Sequence, residues 1–134
     1  MKKNLIAIMA IATLISFASC KKTEDATCTL SSASLIGTYK VSSVKVNGVD
    51  VTSIIIDACQ RDDTYTFNVN GSYVTTDAGV VCTPNNNDSS TWSLAGNTLI
   101  FDGDTATISD FTCNGFTVTV NTGTQTQVGT FVRQ

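Results

Sequence analysis

Asp57, Asp62-Asp63 and Asp102-Gly103-Asp104 are the residues of this chain that could hold a cation or trade a proton. An acid–base pair needs two carboxylates facing one substrate atom, and a hard cation needs several oxygens around one point. Adjacent residues of a strand point to opposite faces, so Asp62 and Asp63 are expected to flank a solvated strand entrance rather than share a ligand. Asp102-Gly103 is hairpin-turn chemistry, and the further ligands of a calcium loop are missing around it. The 134 residues include no His, which removes Ser–His and Cys–His nucleophile pairs and His-ligated metals. Lys40, Lys45 and the hydroxyls have no visible activator. The expectation is a protein that is not an enzyme, with no catalytic residue, no metal and no cofactor.

The other chemistry belongs to five cysteines, Cys20, Cys28, Cys59, Cys82 and Cys113. No Cys-x-x-Cys spacing joins any of them, which argues against zinc or redox use. Cys20 ends a three-part N-terminal pattern. Lys2-Lys3 is followed by an apolar run over Leu5–Ala18 and then by the small residues Ala18-Ser19. This is the layout of a secretory signal over residues 1–19. The run of about 14 residues is shorter than the roughly 20 that a spanning helix needs. Phe17-Ala18-Ser19-Cys20 resembles a bacterial lipobox. The resemblance implies cleavage before Cys20, acyl chains on its thiol, and the membrane as a partner through those chains. Cutting 19 of the 134 residues leaves 115, and without Lys2 and Lys3 six basic residues face 11 acidic ones. That acidic balance argues against nucleic acid as a partner. Residues 20–34, small and polar without periodicity, read as the lipidated Cys and a flexible tether.

Four cysteines remain, an even number that in an exported chain suggests two disulfides with three possible pairings. Asn70-Gly71 is a preferred dipeptide of a two-residue hairpin turn. Such a turn sets Phe67 against Val74 and Tyr65 against Thr76, and the same register carried outward brings Cys59 opposite Cys82. Cys28 and Cys113 are left for each other.

The elements that must position these residues are strands. From Ile36 onward alternation replaces helical periodicity, with Thr and Val throughout. Turn dipeptides recur at Asn47-Gly48, Asn70-Gly71, Gly96-Asn97, Asp102-Gly103, Asn114-Gly115 and Thr122-Gly123. Eight strands are predicted, near 38–46, 64–69, 72–76, 91–94, 98–101, 105–109, 116–121 and 127–133, with one helical turn within 51–58. The loop 78–90 is the longest irregular piece and is expected to be mobile. The turns set Leu94 against Leu99, Trp92 against Phe101, Leu99 against Ala106 and Phe111 against Val118, with a bulge near Ser109-Asp110. One face then collects Tyr65, Phe67, Trp92, Leu94, Leu99, Phe101, Ile108, Phe116, Val118 and Val120. The fold class is all-β: a small eight-stranded antiparallel up-and-down barrel, which leaves no open edge, with a β-sandwich as the alternative.

Several stretches resemble the lipocalin-like domains of small lipoproteins from Bacteroides-type bacteria. They are Leu35-Ile36-Gly37-Thr38-Tyr39-Lys40-Val41, Cys59-Gln60-Arg61-Asp62-Asp63-Thr64-Tyr65-Thr66-Phe67, Asn97-Thr98-Leu99-Ile100-Phe101-Asp102-Gly103-Asp104 and Gly129-Thr130-Phe131-Val132-Arg133. The resemblance implies a domain over 35–134. It also implies a plug at the closed end of the barrel, with Tyr39 in place of the family's Trp and Arg133 across it. A pocket for a small apolar or amphipathic ligand is implied too, and Tyr65, Phe67, Trp92, Phe101 and Phe116 are the candidates for its walls. The expected function is that of a cell-envelope lipoprotein, anchored in the outer membrane and periplasmic or surface-exposed, which binds such a ligand. The alternative is a ligand-free structural or protein-docking module with an unknown protein partner.

Overall fold

The computed structural model describes residues 28–134. The signal segment 1–19, Cys20 and the tether up to residue 27 lie outside the described residues. A short helix α1 (Ser32–Leu35) leads into β1 (Gly37–Val46) and the two-residue β2 (Val49–Asp50). A helical turn α2 (Thr52–Ile55) and a 3₁₀ turn (Ala58–Gln60) follow, where one helical turn was expected. Then come β3 (Thr64–Phe67), β4 (Ser72–Thr76), β5 (Asp88–Ala95), β6 (Thr98–Phe101), β7 (Asp104–Thr112), β8 (Gly115–Asn121) and β9 (Thr126–Arg133). Consecutive strands from β3 to β9 pair with one another, and β1 pairs with both β3 and β9. The sheet is a closed antiparallel barrel of eight strands, with β2 as one extra strand beside β1. The sandwich alternative falls with that closure.

Local turn chemistry sets most registers. Asp102 and Gly103 both adopt positive φ, 51° and 81°, as a type I′ turn requires. Leu99 faces Ala106 across that turn. Gly96 at φ 62° turns the preceding hairpin, where Trp92 faces Phe101 and Leu94 faces Leu99. Asn70-Gly71 behaves differently from the expectation. Gly71 N–H donates to the Asn68 carbonyl at 3.0 Å and Asn68 N–H to the Ser72 carbonyl at 2.9 Å. The loop therefore holds three residues, with Gly71 alone at positive φ. The register slips by one, so Phe67 faces Tyr73 and Tyr65 faces Thr75. One residue of slip exchanges the faces of a strand, and Tyr73 rather than Val74 enters the core. A similar slip occurs near Asn114. Thr112 faces Gly115 and Ile108, not Phe111, faces Val118. The expected bulge lies between Ser109 and Thr112, with Asp110 at φ 50°.

The barrel has two unlike ends. The chain enters at the end where β1 begins and β9 stops. There Cys28 is joined to Cys113, with Cα atoms 5.2 Å apart. Ser31 caps α1 by accepting from Ser34 N–H at 3.1 Å, and Leu35 is fully buried. The part of the expected tether from Cys28 onward is thus packed onto the barrel. At the opposite end Cys59 is joined to Cys82, Cα atoms 5.3 Å apart. The β3–β4 ladder stops at Thr64 and Thr76, so this bridge links the 3₁₀ turn to the loop after β4 rather than two facing strand residues. Three carboxylates also fasten that loop. Asp77 accepts from Cys82 N–H at 3.0 Å and Asn86 N–H at 2.9 Å. Asp62 accepts from Val80 N–H at 2.8 Å. Asp63 accepts from Ala78 N–H at 3.3 Å and Asn86 Nδ2 at 3.2 Å. Asp63 is 1% exposed, so the solvated strand entrance expected here is instead a set of buried anchors.

The bridges close segments of 85 and 23 residues. Loop entropy assigns them about 4.5 and about 3.5 kcal/mol. Cys28→Ala/Cys113→Ala is expected to lower the urea midpoint more than Cys59→Ala/Cys82→Ala does, as followed by near-ultraviolet circular dichroism.

Candidate functional site

At the closed end Arg133 reaches back over the start of β1. Its Nη2 donates to the Ser34 carbonyl and to Tyr39 Oη, each at 2.6 Å, and its Nη1 to the Ile36 carbonyl at 3.0 Å. Its Cζ lies 4.9 Å from the centre of the Tyr39 ring. Tyr39 Oη donates in turn to the Leu35 carbonyl at 2.9 Å. A Cβ at Gly37, which sits at φ 152°, would collide with the guanidinium, so the Gly opens the space that Arg133 fills. Burial raises the pKa of the Tyr39 hydroxyl above the usual 10.0, and Arg133 partly offsets this. The arrangement supplies acceptors to a fixed cation and seals the barrel floor. It presents no reactive group to solvent.

Above this plug, aromatic rings fill the lower barrel. Tyr39 meets Phe67 and Phe116 edge-on, with centroids 5.8 and 5.0 Å apart. Phe67 meets Trp92 at 5.5 Å. Phe67, Phe116 and Trp92 are 1%, 2% and 8% exposed. Trp92 Nε1 donates to the Asn68 carbonyl at 3.0 Å, so its polar edge is satisfied inside the protein. These three residues, expected in pocket walls, form the solid core. Tyr65 lies in the next layer with Tyr73, Phe101 and Phe131. Tyr65 meets Phe131 at 5.8 Å and Tyr73 meets Phe101 at 5.6 Å. Burial raises the hydroxyl pKa of both tyrosines, helped by Asp63 for Tyr65 and by Asp102 and Asp88 for Tyr73.

The opposite half of the barrel holds a cavity of about 300 Å³ that opens to solvent. Val41, Val44, Phe101, Val118, Val120 and Phe131 make its wall, with Asp104, Thr122 and Gln127 as its polar lining. Of the five expected wall residues only Phe101 lines this cup. The wall is mostly aliphatic and comes largely from β1, β8 and β9. Val41 and Val44 are three apart, yet both face inward because β1 has a bulge between Val41 and Ser43. The signal was present in the sequence: apolar residues at 39, 41, 44 and 46 break their alternation at Ser42-Ser43. Gly129 also lines the cup, and its missing side chain keeps the space open beside Val118. Among the described residues no group of three or more His, Cys, Asp or Glu could hold a metal ion. No helix among them is long and apolar enough to cross a membrane.

A family model described as a lipocalin-like domain matches residues 35–131, well over half of the chain. Neither the curated proteins nor the solved structures gave a match.

Arg133→Lys keeps the charge but loses the planar fork that serves three acceptors. It is expected to cost about 1.5–3 kcal/mol in urea unfolding, and Tyr39→Phe about 1–2 kcal/mol, because buried carbonyls lose donors. The raised tyrosines give an alkaline limit. An acid whose folded pKa lies above its unfolded one contributes its stability in full below the unfolded value, and loses it as pH rises through the folded one. Stability should therefore fall above pH 10, from the usual tyrosine value. Tyr73→Phe, with no proton to lose there, should lose less of its own stability between pH 9 and pH 11 than the wild type does.

Proposed function

The chain belongs to the lipocalin-like domain family, and we propose that it is a lipid-anchored binding protein of a Bacteroides-type cell envelope, carrying a small apolar or amphipathic ligand in the open end of its barrel. The observation that carries the reading is the cup itself: a hollow half above a solid half, with a wall of Val and Phe. A volume near 300 Å³ lies at the small end of ligand pockets and equals roughly ten water-sized volumes, room for a short alkyl chain. Each methylene transferred into such a wall contributes about 0.8 kcal/mol. The role is binding and carriage, not turnover.

Export and anchoring rest on the residues before the domain. The basic start, the apolar run and Ala18-Ser19-Cys20 support signal cleavage and acylation of Cys20. Two disulfides fit an oxidising compartment. Two or three acyl chains would hold the protein on a membrane stably, where one would not. The outer membrane, with the domain periplasmic or surface-exposed, is the proposed location.

Native and denatured mass spectrometry of the protein extracted from its host membrane tests both parts. The denatured chain should begin at Cys20 and carry acyl mass, and the native ion should carry a further mass that vanishes on denaturation. Gly129→Leu, which fills the cup, should lose that second mass alone, and Cys20→Ser should move the protein to the soluble fraction. A native ion equal to the denatured one would sink the binding reading. A Cys20→Ser protein that stays in the membrane would sink the anchor.

A further inference from the structure

The barrel is electrically lopsided. Antiparallel order puts the end of β1, the start of β3, the end of β4, the start of β5, the β6–β7 turn and the β8–β9 turn at the cup's end. Eight of the nine Asp residues in the described chain lie in those segments or in the connections beside them: Asp50, Asp57, Asp62, Asp63, Asp77, Asp88, Asp102 and Asp104. Only Asp110 lies toward the other end. Lys45 and Arg61 are the basic residues on the cup's side, and neither lines the cup. Some of the carboxylates are occupied: Asp62, Asp63 and Asp77 hold the amides of the loop after β4. Asp104 is different. It is exposed, it lines the cup, and it is the only charged residue that does. Thr122 and Gln127 beside it can donate or accept.

We propose that the cup selects an amphiphile with a cationic head group, its short apolar tail against Val41, Val44, Val118 and Phe131 and its ammonium at the rim beside Asp104. The inference rests on the ligand-binding reading above and names the ligand's chemistry. A carboxylate or phosphate head would meet the charge of Asp104, with no basic residue in the cup's lining to receive it. A tail alone would bind by area and not discriminate between heads. Opposite charge near an exposed carboxylate adds up to about fivefold, and like charge removes a similar factor. The gap between a cationic and an anionic head on the same tail is then of order tenfold, and at most about 25-fold, at low salt, and it narrows as salt screens it.

Isothermal titration with octylammonium, 1-octanol and octanoate tests this, using the full chain with Cys20→Ser so that no membrane competes for the probes. Octylammonium is expected to bind about tenfold tighter than octanoate, with octanol between. Asp104→Asn keeps the shape of the side chain and should shrink that gap at least about threefold. Asp110→Asn makes the same change of net charge at the far end, at a positive-φ position that Asn tolerates, and should leave the gap intact. Equal affinities for the two charged probes, or a gap that survives Asp104→Asn, overturn the head-group assignment while the binding reading stands. If none of the three probes binds, the binding reading falls and this inference with it.

Discussion

The pairing of β1 with two partners is the constraint on which the barrel depends. Residues 37–39 of β1 pair with β3, and residues 39–46 pair with β9. Only a strand this long can hold both neighbours while the sheet shears into a cylinder. Closure leaves no free edge in the eight-stranded cylinder, which a small domain would otherwise have to protect from other chains. The same strand supplies the lock at one end and part of the hollow at the other. Tyr39 sits where the two ladders meet and receives Arg133, its own partner residue on β9. On either side of the bulge, Val41 and Val44 bring the strand's apolar residues into the cup wall.

Filling one half of the barrel is what permits a hollow in the other. Tyr39, Phe67, Phe116 and Trp92 pack with edge-on contacts, the geometry aromatic rings favour. Phe116 and Phe131 stack with planes 9° apart and centroids 5.0 Å apart. Arg133 is a half-buried cation, and withdrawing such a group from water is costly unless it is hydrogen-bonded. Carbonyls of Ser34 and Ile36 and the phenol of Tyr39 accept from its two terminal nitrogens without a carboxylate, while its buried Nε has no partner among the described residues. The clasp therefore ties the last strand to the backbone before the first one, and the two chain ends brace one another. Above the tyrosine layer aliphatic side chains take over, and Gly129 adds none.

Much of the fold was legible because its signals are local. Strict alternation and Gly- or Asn-bearing turns located all eight barrel strands within a few residues, and the bulge near Asp110 followed from the three-residue spacing of Ile108 and Phe111. What misled was turn length. Asn-Gly at 70–71 favours a two-residue turn as an isolated dipeptide, but Asn68 and Ser72 close a wider loop. One added residue moved Tyr73 into the barrel. The pair Cys59–Cys82 was nevertheless reached, because a one-residue slip leaves both cysteines in the same neighbourhood after the ladder has ended. The site was harder to see. Aromatic side chains suggest a pocket wall and a core equally well from sequence, and their layering along the barrel depends on strand shear, a property of the assembled sheet. The acidic pair at 62–63 was read by the alternation rule for strands. Both residues stand just before β3, where that rule does not apply, and both carboxylates turn to one loop.

The position of Cys28 fixes the end at which the chain meets the barrel. Its bridge to Cys113 fixes the entering chain beside the β7–β8 turn, at the plugged end. Whatever precedes residue 28 therefore joins the barrel on the side away from the cup's mouth. On the lipoprotein reading, residues 21–27 separate the anchor from that bridge, a span of at most about 25 Å when fully extended. The plugged end would then lie toward the membrane and the mouth toward the aqueous phase. Lys21 and Lys22 lie next to the proposed anchor, where anionic headgroups attract them, while the Asp-rich end is held away from the same headgroups. A ligand would enter from solution rather than by lateral passage from the bilayer. That favours a small water-soluble amphiphile over a lipid with long chains, in keeping with a cavity of about 300 Å³.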